Sequence, residues 1–161
     1  MQDLFVIRPI IAIGRSVYLR AKARHIILTG HLECHSVAAF LQELLHEAHF
    51  PRNRGLRAVL LSPLELTTDM KAILESSTFV DHVDYLQGSP LVESDLQRAC
   101  SERASAVFIL SDKRHSERNK QALQDEYACM YMVSIQASCP TVPIFVQTVG
   151  TLQLNQVGPL Q

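Results

Sequence analysis

The sequence predicts an α/β domain, a Rossmann-like doubly wound parallel sheet with strand order 3-2-1-4-5. Three observations carry this. Five short apolar runs alternate along the chain with segments of helical periodicity. The runs are apolar through much of their length rather than at every second residue, as strands buried on both faces are. The connections are long enough for crossovers, so successive strands lie parallel with helices on both faces.

The first run, His25 to Gly30 (HIILTG), ends at a glycine. A helix follows, with Val37, Phe40, Leu41, Leu44 and Leu45 on one face and Gln42, Glu43 and Glu47 among the wet positions. Arg52, Asn53 and Gly55 after Pro51 form a turn. The second strand is Arg57 to Ser62, closed by Pro63, and a helix with Leu66, Met70, Ile73 and Leu74 comes next. Val83 to Gly88 is the third strand. A short helix with Val92, Leu96 and Ala99 leads to the fourth, Ala106 to Ser111. After the polar stretch Asp112 to Lys120 comes a longer helix with Leu123, Tyr127, Met130 and Val133 as its apolar positions. The fifth strand spans Pro143 to Val149, with proline tolerated at its first position. The expected organisation is a segment or linker over residues 1–24, the domain over 25–149 and an irregular tail over 150–161.

The chain has 161 residues, 47% hydrophobic and 19% charged, with a formal net charge of −1. That suits one soluble domain and supplies no basic field to recruit nucleic acid. The four cysteines, Cys34, Cys100, Cys129 and Cys139, form no CxxC pair, which fits a reducing compartment. No stretch reaches the ~18–20 apolar residues of a membrane helix. The best run, Phe5 to Gly14, is short and is broken by Arg8 and Pro9. Arg15, Arg20, Lys22 and Arg24 follow it, as a solvated linker or as a segment just inside a membrane.

In this fold a dinucleotide sits at the turn after the first strand, on a GxGxxG motif. Here that turn is Thr29 to Ser36, with one glycine, and Glu33 would oppose a phosphate. The second strand ends in Ser62-Pro63 where an acid would hold the ribose. Gly30, His31, Glu33 and Ser62 thus outline a vestigial groove, and no cofactor is expected there. His31, Cys34 and His35 are potential zinc ligands, but their spacing matches no common site and a polar loop explains them better. His46 and His49 flank Glu47 without the spacing of HExxH. Asp81, His82 and Asp84 lie at the wrong end of the third strand for catalysis. Lys113, Arg114, His115, Arg118 and Lys120 are interleaved with acids and lack aromatics for base stacking. There is no GxSxG elbow, so an enzyme is not expected.

Several blocks together resemble the RCK domain (regulator of potassium conductance) of Slo-type potassium channels, most closely the sodium-activated branch. They are Arg24-HIILTGH, LLSPLEL (Leu60 to Leu66), VDYLQGSPLVESDLQRA (Val83 to Ala99), AVFILS and CPTVPIFVQ (Cys139 to Gln147). The resemblance implies a regulatory domain on the cytoplasmic face of a membrane. There it would join other RCK domains in a tetrameric gating ring and couple ion sensing to a pore domain. It implies Na⁺ or Ca²⁺ as a regulatory ligand. Glu43 and Glu47 are the candidate ligands, although Ala48 stands where calcium-activated relatives carry an acid. The later strand and the dimerisation helices of the family are not expected in this chain, which leaves an edge beside PIFVQTV and predicts weak stability or self-association. The alternatives are a divergent nucleotide-binding oxidoreductase-like protein, or a truncated, non-conducting relic.

Overall fold

A computed structural model describes residues 11–12, 24–46, 55–112 and 118–149. In chain order the elements are β1 (Ile11–Ala12), β2 (His25–Gly30), α1 (Cys34–Leu44), β3 (Arg57–Ser62), α2 (Thr68–Leu74) and β4 (Val83–Gln87). Then come α3 (Glu93–Arg98), a 3-10 turn (Ser101–Arg103), β5 (Ala106–Leu110), α4 (Arg118–Ser138) and β6 (Ile144–Val146). The strands form one sheet in the order β1-β4-β3-β2-β5-β6, every pair parallel. The five strands expected from the sequence are β2 to β6, in the expected order 3-2-1-4-5. The predicted turn at Arg52 and Asn53 lies outside the described residues, apart from Gly55 at positive φ.

The sheet is the middle layer of three. Along β2, Ile26 and Leu28 point into one core with Val37, Leu41, Met70 and Leu74 of α1 and α2. Ile27 points the other way, into a second core with Leu96 of α3 and Ala128 and Ile135 of α4. Neighbouring residues on one strand therefore serve opposite cores, which is why the run has no polar alternation. Thr29, at the fully buried end of the same strand, is accommodated because its hydroxyl donates to the Leu61 carbonyl at 2.8 Å.

Two local features depart from the sequence expectation. β6 covers only Ile144–Val146, because the chain beyond it turns to tie off the neighbouring strand end. There the Ser111 hydroxyl donates to the Gln147 carbonyl, and the Ser111 amide donates to the Gln147 side chain. Among the described residues β6 pairs on one side only, with β5. The second departure is in α4. Spacing alone would turn Leu123, Tyr127, Met130 and Val133 inward, yet all four are exposed, at 48%, 48%, 51% and 64%. Asp125, Ala128 and Ile135 face the sheet instead. Asp125 tolerates burial because its carboxylate accepts the Val149 amide at 2.9 Å, joining the helix to the end of the β6 segment.

The β3–α2 loop is held by side chains. The Ser62 hydroxyl accepts the Leu64 amide at 3.2 Å, and the Tyr85 hydroxyl donates to the Leu64 carbonyl at 2.8 Å. The Thr67 hydroxyl then caps α2 by accepting the Met70 amide. Burial pushes the Tyr85 phenol above the usual tyrosine range, and a hydrogen bond with Ser62 draws it partly back. Tyr85→Phe is expected to cost about 0.5–1.5 kcal/mol, one net hydrogen bond, measured by urea denaturation.

Candidate functional site

The crevice beyond the C-terminal ends of β2 and β5 is where this fold takes ligands, since strand order reverses there. Its geometry starts from Gly30, whose φ is +92°. A Cβ on Gly30 would stand 2.3 Å from the Leu110 carbonyl oxygen. The next amide, that of His31, donates to this same oxygen at 2.8 Å. The glycine is therefore required by the close approach of β2 to β5, and the Leu110 carbonyl fills the space beside it.

Around this point lie two openings. One, of about 340 Å³, is lined by residues that include His31, Glu33, His35, Phe40, Asp112 and Gln147. The other, of about 170 Å³, lies under α4 between Gly30, His31, Tyr127 and Tyr131. His31 Nε2 is 3.4 Å from Asp112 Oδ2, and Asp112 is only 5% exposed, so the segments that follow β2 and β5 are also joined through side chains. Glu33 occupies the N-cap of α1 without a side-chain cap bond, and the Ser36 hydroxyl donates to its carboxylate at 3.5 Å. A phosphate at the α1 N-terminus would meet this carboxylate, and Asp112 stands on the same cavity wall.

Of the groove residues singled out in the sequence, the structure brings Gly30, His31 and Glu33 together and sets Ser62 apart. Ser62 is buried at the end of β3, beside a separate opening of about 40 Å³ under the Leu64 loop. Glu43 is an exposed position on α1, and Glu47, Ala48 and His49 lie outside the described residues. No group of three or more His, Cys, Asp or Glu suited to a metal ion occurs among the described residues. Cys34 packs toward the α1–α2 core, whereas His31 and His35 line the larger opening.

At the opposite end of the sheet, Asp84 accepts two bonds from Arg57, from Nε at 3.1 Å and from an Nη at 2.9 Å. Arg57 also donates to the Asp81 carbonyl. These acids fasten the starts of β3 and β4 together. The basic positions Lys113 to His115 lie outside the described residues. No described helix is long and apolar enough to cross a membrane.

What the sequence reading missed is the outer face of α4. Leu123, Tyr127, Met130 and Val133 recur at helical spacing on it, and the helix has no charged residue from Tyr127 to Ser138. The Ser134 hydroxyl donates to the Pro90 carbonyl at 2.8 Å, which brings the half-exposed Leu91 and Val92 alongside the same helix. A run of twelve uncharged residues on a surface helix was the available signal.

These features define a class: a Rossmann-like domain whose first turn carries one glycine packed against the neighbouring strand and which, among the described residues, exposes an uncharged helix face. Comparison with known proteins gives the family. Residues 21–146 match the model of the calcium-activated potassium channel slowpoke-like RCK domain, and the chain belongs to that family. Potassium channel subfamily T member 1 of Mus musculus is 31% identical over 134 residues, which is 81% of this chain and 10% of that protein. The Homo sapiens protein of the same name is 30% identical over 125 residues, 77% of this chain and 10% of its own length. The chain thus spans about a tenth of the length of the curated relatives it matches. The solved structure of the human SLO3 gating ring has the same fold, with a TM-score of 0.57 at 22% identity, over 78% of this chain and 19% of that one.

Proposed function

We propose that the chain is a cytosolic regulatory domain of a potassium channel, not an enzyme, and that it works by docking a second RCK domain on the outer face of α4. The exposed, uncharged α4 stripe carries the reading. Aromatic and methionine side chains at the centre of a surface depleted of charge are the composition of an interface core. Membership of the RCK family supports another such domain as the occupant, as does the fold shared with a solved gating ring. A self-complementary contact about a two-fold axis, α4 against α4, satisfies both partners with one surface. Ion sensing coupled to pore opening, with Na⁺ or Ca²⁺ as the regulatory ligand, is part of the same proposal. A nucleotide-dependent oxidoreductase is disfavoured by the single glycine in the Thr29–Ser36 turn and by the two carboxylates, Glu33 and Asp112, in the crevice.

Sedimentation equilibrium tests the docking face. The wild-type chain is expected to associate reversibly, and Met130→Glu with Val133→Glu to weaken association by at least about tenfold, or 1.4 kcal/mol. Both residues are exposed, so the thermal midpoint of the monomer should hardly move. Association of equal strength in the double variant would reject the α4 face.

A further inference from the structure

The sheet is not covered evenly on its two sides. Ile144 and Val146 of β6 turn toward the α4 core, so alternation along the strand sends Phe145 to the α1 side. There Phe145 stands opposite Phe108 of β5 and stacks on it, with ring centroids 4.9 Å apart and planes within 16°. Phe108 in turn meets Phe40 of α1 edge to face, at 5.0 Å. α1 shields Phe108 only in part, and Phe145 is left 53% exposed. The three rings form a strip that runs from α1 outward to the β6 edge.

The inner end of this strip opens into the larger of the two cavities described above, of about 340 Å³. Phe40 lines that cavity, and so does Gln147, two residues beyond Phe145. Its lining carries the carboxylates of Glu33 and Asp112, and among the described lining residues there is no lysine or arginine. Asp112 engages His31 and is only 5% exposed, so water and salt screen its charge poorly. Aromatic surface therefore passes directly into a wall of negative charge.

We infer that this groove, on the side of the sheet opposite α4, docks a basic amphipathic segment of another polypeptide. A large apolar side chain of that segment lies on the Phe108 and Phe145 rings, and the head of a neighbouring lysine or arginine reaches Glu33 and Asp112. Rings already held against one another offer contact area with little side-chain freedom left to lose. Lysine and arginine lay their hydrocarbon stems along apolar surface and carry the charge beyond it, which matches the order of strip and carboxylates. The same two carboxylates repel an acidic segment, so charge selects the partner. The groove does not rest on the docking proposed for α4, which uses the other side of the sheet.

Two synthetic peptides test the inference, titrated into the isotope-labelled 161-residue chain and followed by amide shifts in nuclear magnetic resonance. One is an amphipathic helix with leucines on one face and lysines along its border; the other has glutamate in place of every lysine. The lysine peptide is expected to shift residues 31–36 together with Phe108, Phe145 and Gln147, and the glutamate peptide to leave them in place. Glu33→Gln and Phe145→Ala change partly exposed side chains, so the fold is kept, and each is expected to weaken the lysine peptide about three- to tenfold. No response to either peptide, an equal response to both, or shifts confined to α4 would overturn the inference. Undiminished affinity in both variants would do the same. Concentration-dependent shifts at Phe145 without peptide would also overturn it, by making a second copy of the chain the occupant. The α4 face is judged separately, by association of the chain in the absence of peptide.

Discussion

Gly30→Ala is expected to lower folding stability by about 2–5 kcal/mol, combining the cost of positive φ in a residue with a Cβ and of backbone displaced to admit it. The added methyl would meet the Leu110 carbonyl oxygen at 2.3 Å, and that oxygen is part of the backbone and already accepts the His31 amide. No side-chain rotation relieves the contact. The β2–β5 register, which holds Gly30 opposite Leu110, has to open instead. Urea denaturation measures the loss. A near-neutral result would mean that the glycine is a remnant of a nucleotide turn and not a packing requirement.

The second large effect concerns the strand beside it. Ile27→Ala and Leu28→Ala are each expected to cost about 2–5 kcal/mol. Both side chains are fully buried, but in different cores, Ile27 with α3 and α4 and Leu28 with α1 and α2. A strand with one wet face would lose stability at only one of two adjacent positions. Denaturation of the two variants thus measures whether the sheet is a middle layer, and tolerance of either substitution would contradict the three-layer arrangement.

The parts of the fold legible in the sequence are those where one physical signal acts alone. HIILTG and RAVLLS are continuous apolar runs with clear stops at Gly30 and Pro63, and β2 and β3 have the boundaries those stops imply. α4 was not legible in the same way because it carries two apolar stripes. Periodicity detects Leu123, Tyr127, Met130 and Val133 as readily as Ala128 and Ile135, and does not say which set meets the sheet. Asp125 adds to the ambiguity. A carboxylate is expected to face water, and a tertiary bond to the Val149 amide helps offset its burial. β1 was hidden by its neighbours, since Arg8 and Pro9 interrupt the run that contains Ile11 and Ala12.

The candidate site divides along the same line. The loss of the dinucleotide pattern could be read from Thr29 to Ser36, because it depends on residue types at fixed spacing. Why Gly30 is needed could not, because the Leu110 carbonyl it packs against belongs to a strand eighty positions away. Ser62 was assigned to the groove from its position at the end of β3, but its side chain is engaged with the Leu64 loop. The proposed docking face needed both kinds of information: an uncharged run from the sequence, and the side of the helix that the core leaves exposed.

The central claim is that the working surface of this domain is the outer face of α4 and that the crevice at Gly30 does not take a dinucleotide. Backbone amide shifts in nuclear magnetic resonance test both halves at once, recorded at low and high protein concentration and then with NADH added. The account predicts concentration-dependent shifts along α4 and at Leu91 and Val92, with no response to NADH at residues 30–36. NADH-dependent shifts at Gly30, His31 and Glu33, with an α4 face indifferent to concentration, would contradict it.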